Sequence, residues 1–210
     1  MAIKRARYVL GVDPMLASIE RAQALGQSHG LTDRVEFART LGSQWTGRFD
    51  IVISQNSMEH FKDPQGEILR MKNALAEGGK LLITFGPPWF APYGSHMMFF
   101  TRFPWVNLLF SELTVMRVRS RYRDDGVSHY GGTEEGLNKM SVAKFERIVK
   151  SCGMKVVYRK YEGVKRLPAV TSLPLLRELL TNHITVVLAD VQRVIPAGGS
   201  HAKRRYPLSM

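Results

Sequence analysis

Two spacings of apolar residues alternate along the first ninety positions. Short runs with strand character are separated by longer stretches in which apolar side chains recur at helical intervals. Val9 to Val12 reads as a short buried strand. Met15 to His29 reads as a helix, with Leu16, Ile19, Ala22 and Leu25 as its apolar stripe and Gly30 as its stop. Arg34 to Arg39 alternates like a strand, and "LGSQWTG" is a loop. Phe49 to Ser54 is almost continuously apolar, the pattern of a strand buried on both faces of a parallel sheet. Asp63 then caps a helix with Pro64 in its first turn, and Ile68, Leu69, Met71 and Leu75 form its buried stripe. Gly78-Gly79 ends that helix, and Lys80 to Phe85 is the next strand, halted by Gly86-Pro87-Pro88.

Trp89 to Leu137 breaks this rhythm. The stretch is aromatic, methionine-rich and without clean periodicity, and is expected to be an insertion covering the C-terminal edge of the sheet. Alternation resumes with a helix from Ser141 to Ser151, a strand from Lys155 to Tyr161, a helix from Pro174 to Asn182 and a strand from Ile184 to Leu188. Strands and helices joined by short connections predict an α/β sheet with mostly parallel strands. The expected organisation is a single domain over residues 1–190, with the insertion at about 89–137, and a basic, flexible tail over 191–210.

Composition adds bounds. With 210 residues and 44% hydrophobic content, one domain with a full core is expected. The one cysteine excludes an internal disulfide framework and a multi-cysteine metal site. Cys152 shares a helical face with Val142, Phe145, Ile148 and Val149, which predicts a core role. The loosely spaced Asp124, Asp125 and His129 read as a turn, so no metal site is expected. The longest apolar stretch, His96 to Phe110, is interrupted by Arg102 and Pro104, and no signal peptide opens the chain. A cytoplasmic protein without a transmembrane segment is expected. The net charge of +12 is concentrated in part in "RVRSRYR" (Arg117 to Arg123) and "KRRY" (Lys203 to Tyr206). Such charge attracts phosphate-rich partners or a peripheral anionic surface. No specific nucleic-acid motif accompanies it.

The acid at the end of the first apolar run carries the first chemical suggestion. Asp13 at a strand tip can accept hydrogen bonds from both hydroxyls of a ribose. Beyond it, "GVDP", "FDIVISQNSMEHFKDP" and "ILRMKNALAEGGKLLITFGPPW" follow in order. This run, roughly Val9 to Pro88, resembles the class I S-adenosylmethionine-dependent methyltransferases of the small-molecule type. The resemblance implies a three-layer, Rossmann-like sheet whose last strand is antiparallel, with S-adenosylmethionine as cofactor and methyl transfer to a small, apolar-bodied acceptor.

What the resemblance implies extends to single residues. Asp13 corresponds to the acid that holds the cofactor ribose, and Pro14 and Met15 to positions packing on the adenine. Ser54, Gln55 and Asn56 correspond to the segment lining the methionine end. Met58, Glu59 and His60 correspond to the start of the following helix, near the donor methyl. The acid expected to read the adenine amino group is replaced near Ala38 to Thr40, where Thr40 offers a hydroxyl. The family's first strand and glycine loop have no counterpart ahead of Val9, so the chain is expected to be N-terminally truncated and to bind cofactor weakly or not at all. His96, within the aromatic stretch, is the expected catalytic base, with His60 as a second candidate. The rival expectation is a non-catalytic remnant that binds a partner or an anionic surface through its aromatic insertion and arginines. A dinucleotide-dependent oxidoreductase is disfavoured, since no glycine fingerprint precedes Asp13.

Overall fold

The computed structural model describes residues 6–133, 136–164 and 173–191. These fall into two compact units parted between Thr46 and Gly47. The expected tail beyond Val191, including Lys203 to Tyr206, lies outside the described residues.

The first unit is one β–α–β turn of chain. Strand β1 (Val9–Val12) is followed by helix α1 (Leu16–Ser28) and strand β2 (Val35–Ala38), and the two strands pair in parallel with Val9 opposite Val35 and Val12 opposite Ala38. The expected stripe on α1 is not a single buried face. Only Ile19 is buried, while Leu16 and Leu25 are 56% and 60% exposed. The reason is angular: at 3.6 residues per turn, steps of three drift around the helix, so residues nine apart point in opposite directions.

The second unit carries the larger core. Its elements are β3 (Phe49–Gln55), α2 (Pro64–Ala74), β4 (Leu75–Phe85), α3 (Val106–Leu109), α4 (Glu112–Arg119), α5 (Val142–Ser151), β5 (Met154–Gly163), α6 (Pro174–Leu180) and β6 (Thr181–Asp190). The strands form one sheet in the order β3-β4-β6-β5. β3 and β4 are parallel, and β6 runs antiparallel to both its neighbours. The expected α/β class with an antiparallel last strand is therefore present.

Sheet order decides burial. The inner strands β4 and β6 hold Leu81, Ile83, Phe85, Ile184, Val186 and Leu188, none more than 1% exposed. The outer strand β3 does not have the two buried faces its sequence suggests: Ile51 is 61% and Ile53 39% exposed. An apolar run reports affinity for a core, but the number of neighbours a strand finds is set by its place in the sheet.

Local chemistry places the helices. Asp63 Oδ1 accepts the Gly66 amide at 2.9 Å, capping α2, with Pro64 at its first position. Pro64, Ile68, Met71 and Ala74 make its buried face, and Leu69, one position off that face, is 39% exposed. α2 ends at Ala74, before the glycine pair: Leu75 already pairs with Phe49, and the ladder resumes at Lys80 opposite Ile51 after an irregularity. Ser141 Oγ caps α5 by accepting the Lys144 amide, and Glu178 of α6 accepts the Val142 and Ala143 amides. Cys152 is buried, as expected, and burial pushes its thiol pKa up, which disfavours the reactive thiolate.

The insertion has its own small core of Met97, Val106, Val115, Met116, Tyr130 and Leu137, with Trp89 and Phe100 packed against it. Of the four arginines in the 117–123 run, Arg119 is not a surface charge. It is 5% exposed and forms a bidentate pair with Asp125 at 2.6 and 2.7 Å. The Arg119 hydrogen bonds hold the Asp125 carboxyl at about 2, below its ordinary 3.8. A depressed carboxyl pKa stabilises the fold above the unfolded value and loses that contribution as pH falls through the folded one. Tryptophan fluorescence of the wild type is therefore expected to report loosening of the insertion as pH drops from about 4 towards about 2. In Asp125→Asn this step should shrink, because the Arg119–Asp125 share of it is gone while the Glu112–Lys139 pair still titrates.

Candidate functional site

The sequence-derived site residues fall into two groups, one in each unit. In the first, Asp13 follows β1 directly and is half-buried. Its amide donates to the Ala38 carbonyl at the end of β2, and its Oδ1 accepts the Met15 amide at 2.8 Å. This turn fixes the carboxylate at the strand tip with Oδ2 outside the turn. Pro14 and Met15 are exposed beside it, Met15 by 57%, and Arg39 donates to the Pro14 carbonyl. Thr40 is exposed two residues beyond β2. Asp13, Pro14, Met15 and Thr40 thus share one end of the β1–β2 ladder. A fixed acid beside exposed apolar residues is chemically suited to a ribose and an adenine face.

In the second unit Ser54 and Gln55 close β3, and Asn56 turns the chain out of the sheet. Asn56 keeps one contact with β4, donating its amide to the Thr84 carbonyl at 2.7 Å. Ser54 Oγ is buried without a hydrogen-bond partner among the described residues. Met58, Glu59 and His60 do not start the next helix. They form a tight turn that ends before Asp63, because Asp63 and Pro64 define the helix start six residues later than Met58. Met58 is fully buried, and Glu59 is 3% exposed. Glu59 Oε1 accepts the Gly86 amide at 3.1 Å, while Oε2 has no partner among the described residues. Gly86 has φ +152, and a Cβ there would lie 2.3 Å from the Asn182 carbonyl oxygen, so only glycine allows this contact.

The two histidines meet. The rings of His60 and His96 are 5.5 Å apart, edge to face. His60 Nδ1 lies 2.8 Å from the Gly136 carbonyl oxygen. A carbonyl only accepts, so Nδ1 carries the proton, and in the neutral ring Nε2 presents a lone pair. His96 Nε2 stands 3.4 Å from the Pro87 carbonyl, a much looser contact. Three of the four non-glycine residues with left-handed backbone among the described residues, Asn56, His96 and Lys139, belong to this cluster or flank it. Each such conformation costs on the order of 1 kcal/mol, and such strain gathers at functional sites.

Sequence reasoning missed the strap that holds this turn. Asn138 Nδ2 donates to the carbonyls of Met58 and Phe61 at 2.7 and 2.8 Å, and its amide donates to the Glu59 carbonyl. Lys139 follows, pairing with Glu112 at 2.7 Å above the Trp89 and Tyr130 rings. Burial opposes ionisation of Glu112, but the Lys139 hydrogen bond and the Tyr130 amide outweigh it and lower its pKa. Burial, helped by the Glu112 charge, raises the Tyr130 hydroxyl. The strap comes from residues 136–140, some 80 positions after the turn it holds, so no local pattern marks it. Among the described residues no cluster of metal-ligating side chains occurs.

A methyltransferase-domain family matches residues 1–158 of the chain. The chain belongs to the methyltransferase-domain family. The S-adenosylmethionine-dependent class expected from the motifs, and S-adenosylmethionine as its cofactor, are borne out. Solved structures agree on the fold of this methyltransferase. Geranyl diphosphate methyltransferase in complex with SAM matches with a TM-score of 0.57 at 12% identity, covering 91% of this chain and 71% of that one. The cyclase SpnF matches with a TM-score of 0.56 at 12% identity, covering 90% and 68%. An S-adenosylmethionine-dependent methyltransferase from Mesorhizobium loti matches with a TM-score of 0.53 at 17% identity, covering 87% and 80%. No curated protein sequence matches the methyltransferase significantly. A cyclase among these neighbours means that the fold leaves the reaction to the site residues.

Proposed function

We propose that this methyltransferase transfers a methyl group to a small, apolar-bodied acceptor through a protonated oxygen, with the His60–His96 pair supplying the base. The observation that carries the reading is the His60 tautomer: Nδ1 is committed to Gly136, which leaves Nε2 to take a proton. Sequence alone favours His96, whereas the shorter and better-defined contact belongs to His60, so His60 is assigned the proton and His96 the edge-to-face ring that orients it.

When bound, S-adenosylmethionine supplies a methyl group on a positively charged sulfur. The chain's own residues bind and position. Asp13 is assigned the ribose hydroxyls, Pro14 and Met15 the adenine face, and Thr40 a hydroxyl contact to the adenine edge. Ser54, Gln55 and Asn56 are assigned the methionine end, where the unpaired Ser54 hydroxyl has a hydrogen bond to give. The buried Tyr130 and the partly buried Trp89, packed edge to face, shield this region from water, and a proton acceptor in such surroundings is worth more than in bulk solvent.

Isothermal titration of the full chain with S-adenosylmethionine and S-adenosylhomocysteine tests the cofactor assignments. Weak but saturable binding is expected, falling by about tenfold or more in Asp13→Ala, the loss of roughly two hydrogen bonds to a charged group. Binding that Asp13→Ala leaves unchanged would remove the carboxylate from the site.

A further inference from the structure

The insertion leaves a second surface that methyl transfer does not use. Phe99, Phe103, Leu109, Phe110, Leu113 and Tyr122 are each between 47% and 66% exposed. Ring contacts link several of them: Phe99 meets Phe100 at 5.0 Å, Phe100 stacks on Tyr122 at 5.4 Å, and Phe103 faces Phe110 at 6.2 Å. Arginines lie among them. Arg123 sits 5.2 Å over the Phe99 ring, Arg117 is one helical turn beyond Leu113 on α4, and Arg102 and Arg121 are exposed in the adjoining loops. Arg102, Arg117 and Arg121 form no ion pair among the described residues.

From this we infer that the insertion docks on an anionic phospholipid surface. Exposed aromatic and aliphatic side chains in this number are unusual for a surface facing water alone. Interleaved with arginine they match an interfacial segment, whose apolar side chains enter the acyl boundary while the guanidinium groups meet lipid phosphates. The alternatives fit less well. A second copy on the same patch would oppose arginine to arginine. A nucleic acid would satisfy the arginines and the rings but leave Leu109 and Leu113 without a partner. The surface does not depend on the cofactor or the histidine assignments.

Cosedimentation of the full chain with vesicles tests it. Binding is expected to vesicles of phosphatidylcholine with phosphatidylglycerol, to weaken with salt, and to be slight with phosphatidylcholine alone. Arg117→Glu with Arg121→Glu should lower the partition coefficient by about tenfold or more. Leu109→Ser with Leu113→Ser should lower it as well, at exposed positions where an unchanged urea midpoint confirms folding. Absence of binding to the anionic vesicles overturns the inference. So does binding that neither double variant reduces, since charge elsewhere in the chain then carries it. A dimer in sedimentation equilibrium that Leu109→Ser with Leu113→Ser dissociates, or displacement from vesicles by RNA with tighter RNA binding, would also overturn it by giving the patch another occupant.

Discussion

Replacing His60 by alanine is expected to slow methyl transfer to a hydroxyl acceptor by about 100- to 10,000-fold, the range for removing a positioned general base. Titration with S-adenosylhomocysteine and the urea midpoint should move little, because His60 is half-buried and its ring makes one hydrogen bond, to the Gly136 carbonyl, and one edge-to-face contact, with His96. The measurement is the rate of S-adenosylhomocysteine release with acceptors selected by screening apolar phenols and alcohols. A structural role would lower the rate by loosening the turn and would not respond to added base. Imidazole in solution should therefore restore part of the activity of His60→Ala but none to a variant that loosens the turn, such as Asn138→Leu. His96→Ala should cost less than His60→Ala, since His96 orients the ring without accepting the proton. Wild-type rates in His60→Ala would discard the base assignment, and a larger loss in His96→Ala would move it to the neighbouring ring.

Phe85→Ala is expected to destabilise the fold by about 3–5 kcal/mol, measured as the fall in unfolding free energy in urea. Phe85 ends β4, is fully buried, and meets the Phe145 ring of α5 at 4.9 Å while pairing across the sheet with Ile184. Truncation removes the area that Phe85 buries and leaves a cavity between sheet and helix, where a strand hydrogen-bonded on both sides can move little to fill it. Against a total of about 5–15 kcal/mol for a domain, this is enough to unfold much of the protein at moderate temperature. Ile53→Ala on the outer strand β3 is the contrast. It is apolar in the same pattern but 39% exposed, and a shift below about 1 kcal/mol is expected. Equal losses at the two positions would contradict the sheet order.

The candidate site divides into what was legible and what was not. Asp13 and Asn56 stand at the ends of runs whose apolar pattern marks a strand, so their positions at strand tips can be read from spacing. The edge-to-face contact of His60 with His96 cannot, because 36 residues and a change of direction separate them. The choice of His60 over His96 turns on Gly136, a residue with no side chain to attract notice.

Sequence by itself determined the α/β class, the order of strands and helices outside the insertion, the cap at Asp63, and the family of the methyltransferase. These rest on short-range physics: alternation, helical spacing, and side chains that bond amides within three residues. Tertiary structure alone decided which apolar strand is inner and which outer, that Met58 to His60 is a turn held by Asn138, and that Arg119 is buried on Asp125 while the neighbouring arginines face solvent. Those outcomes depend on partners distant in the chain, and a residue's own neighbours carry no record of them.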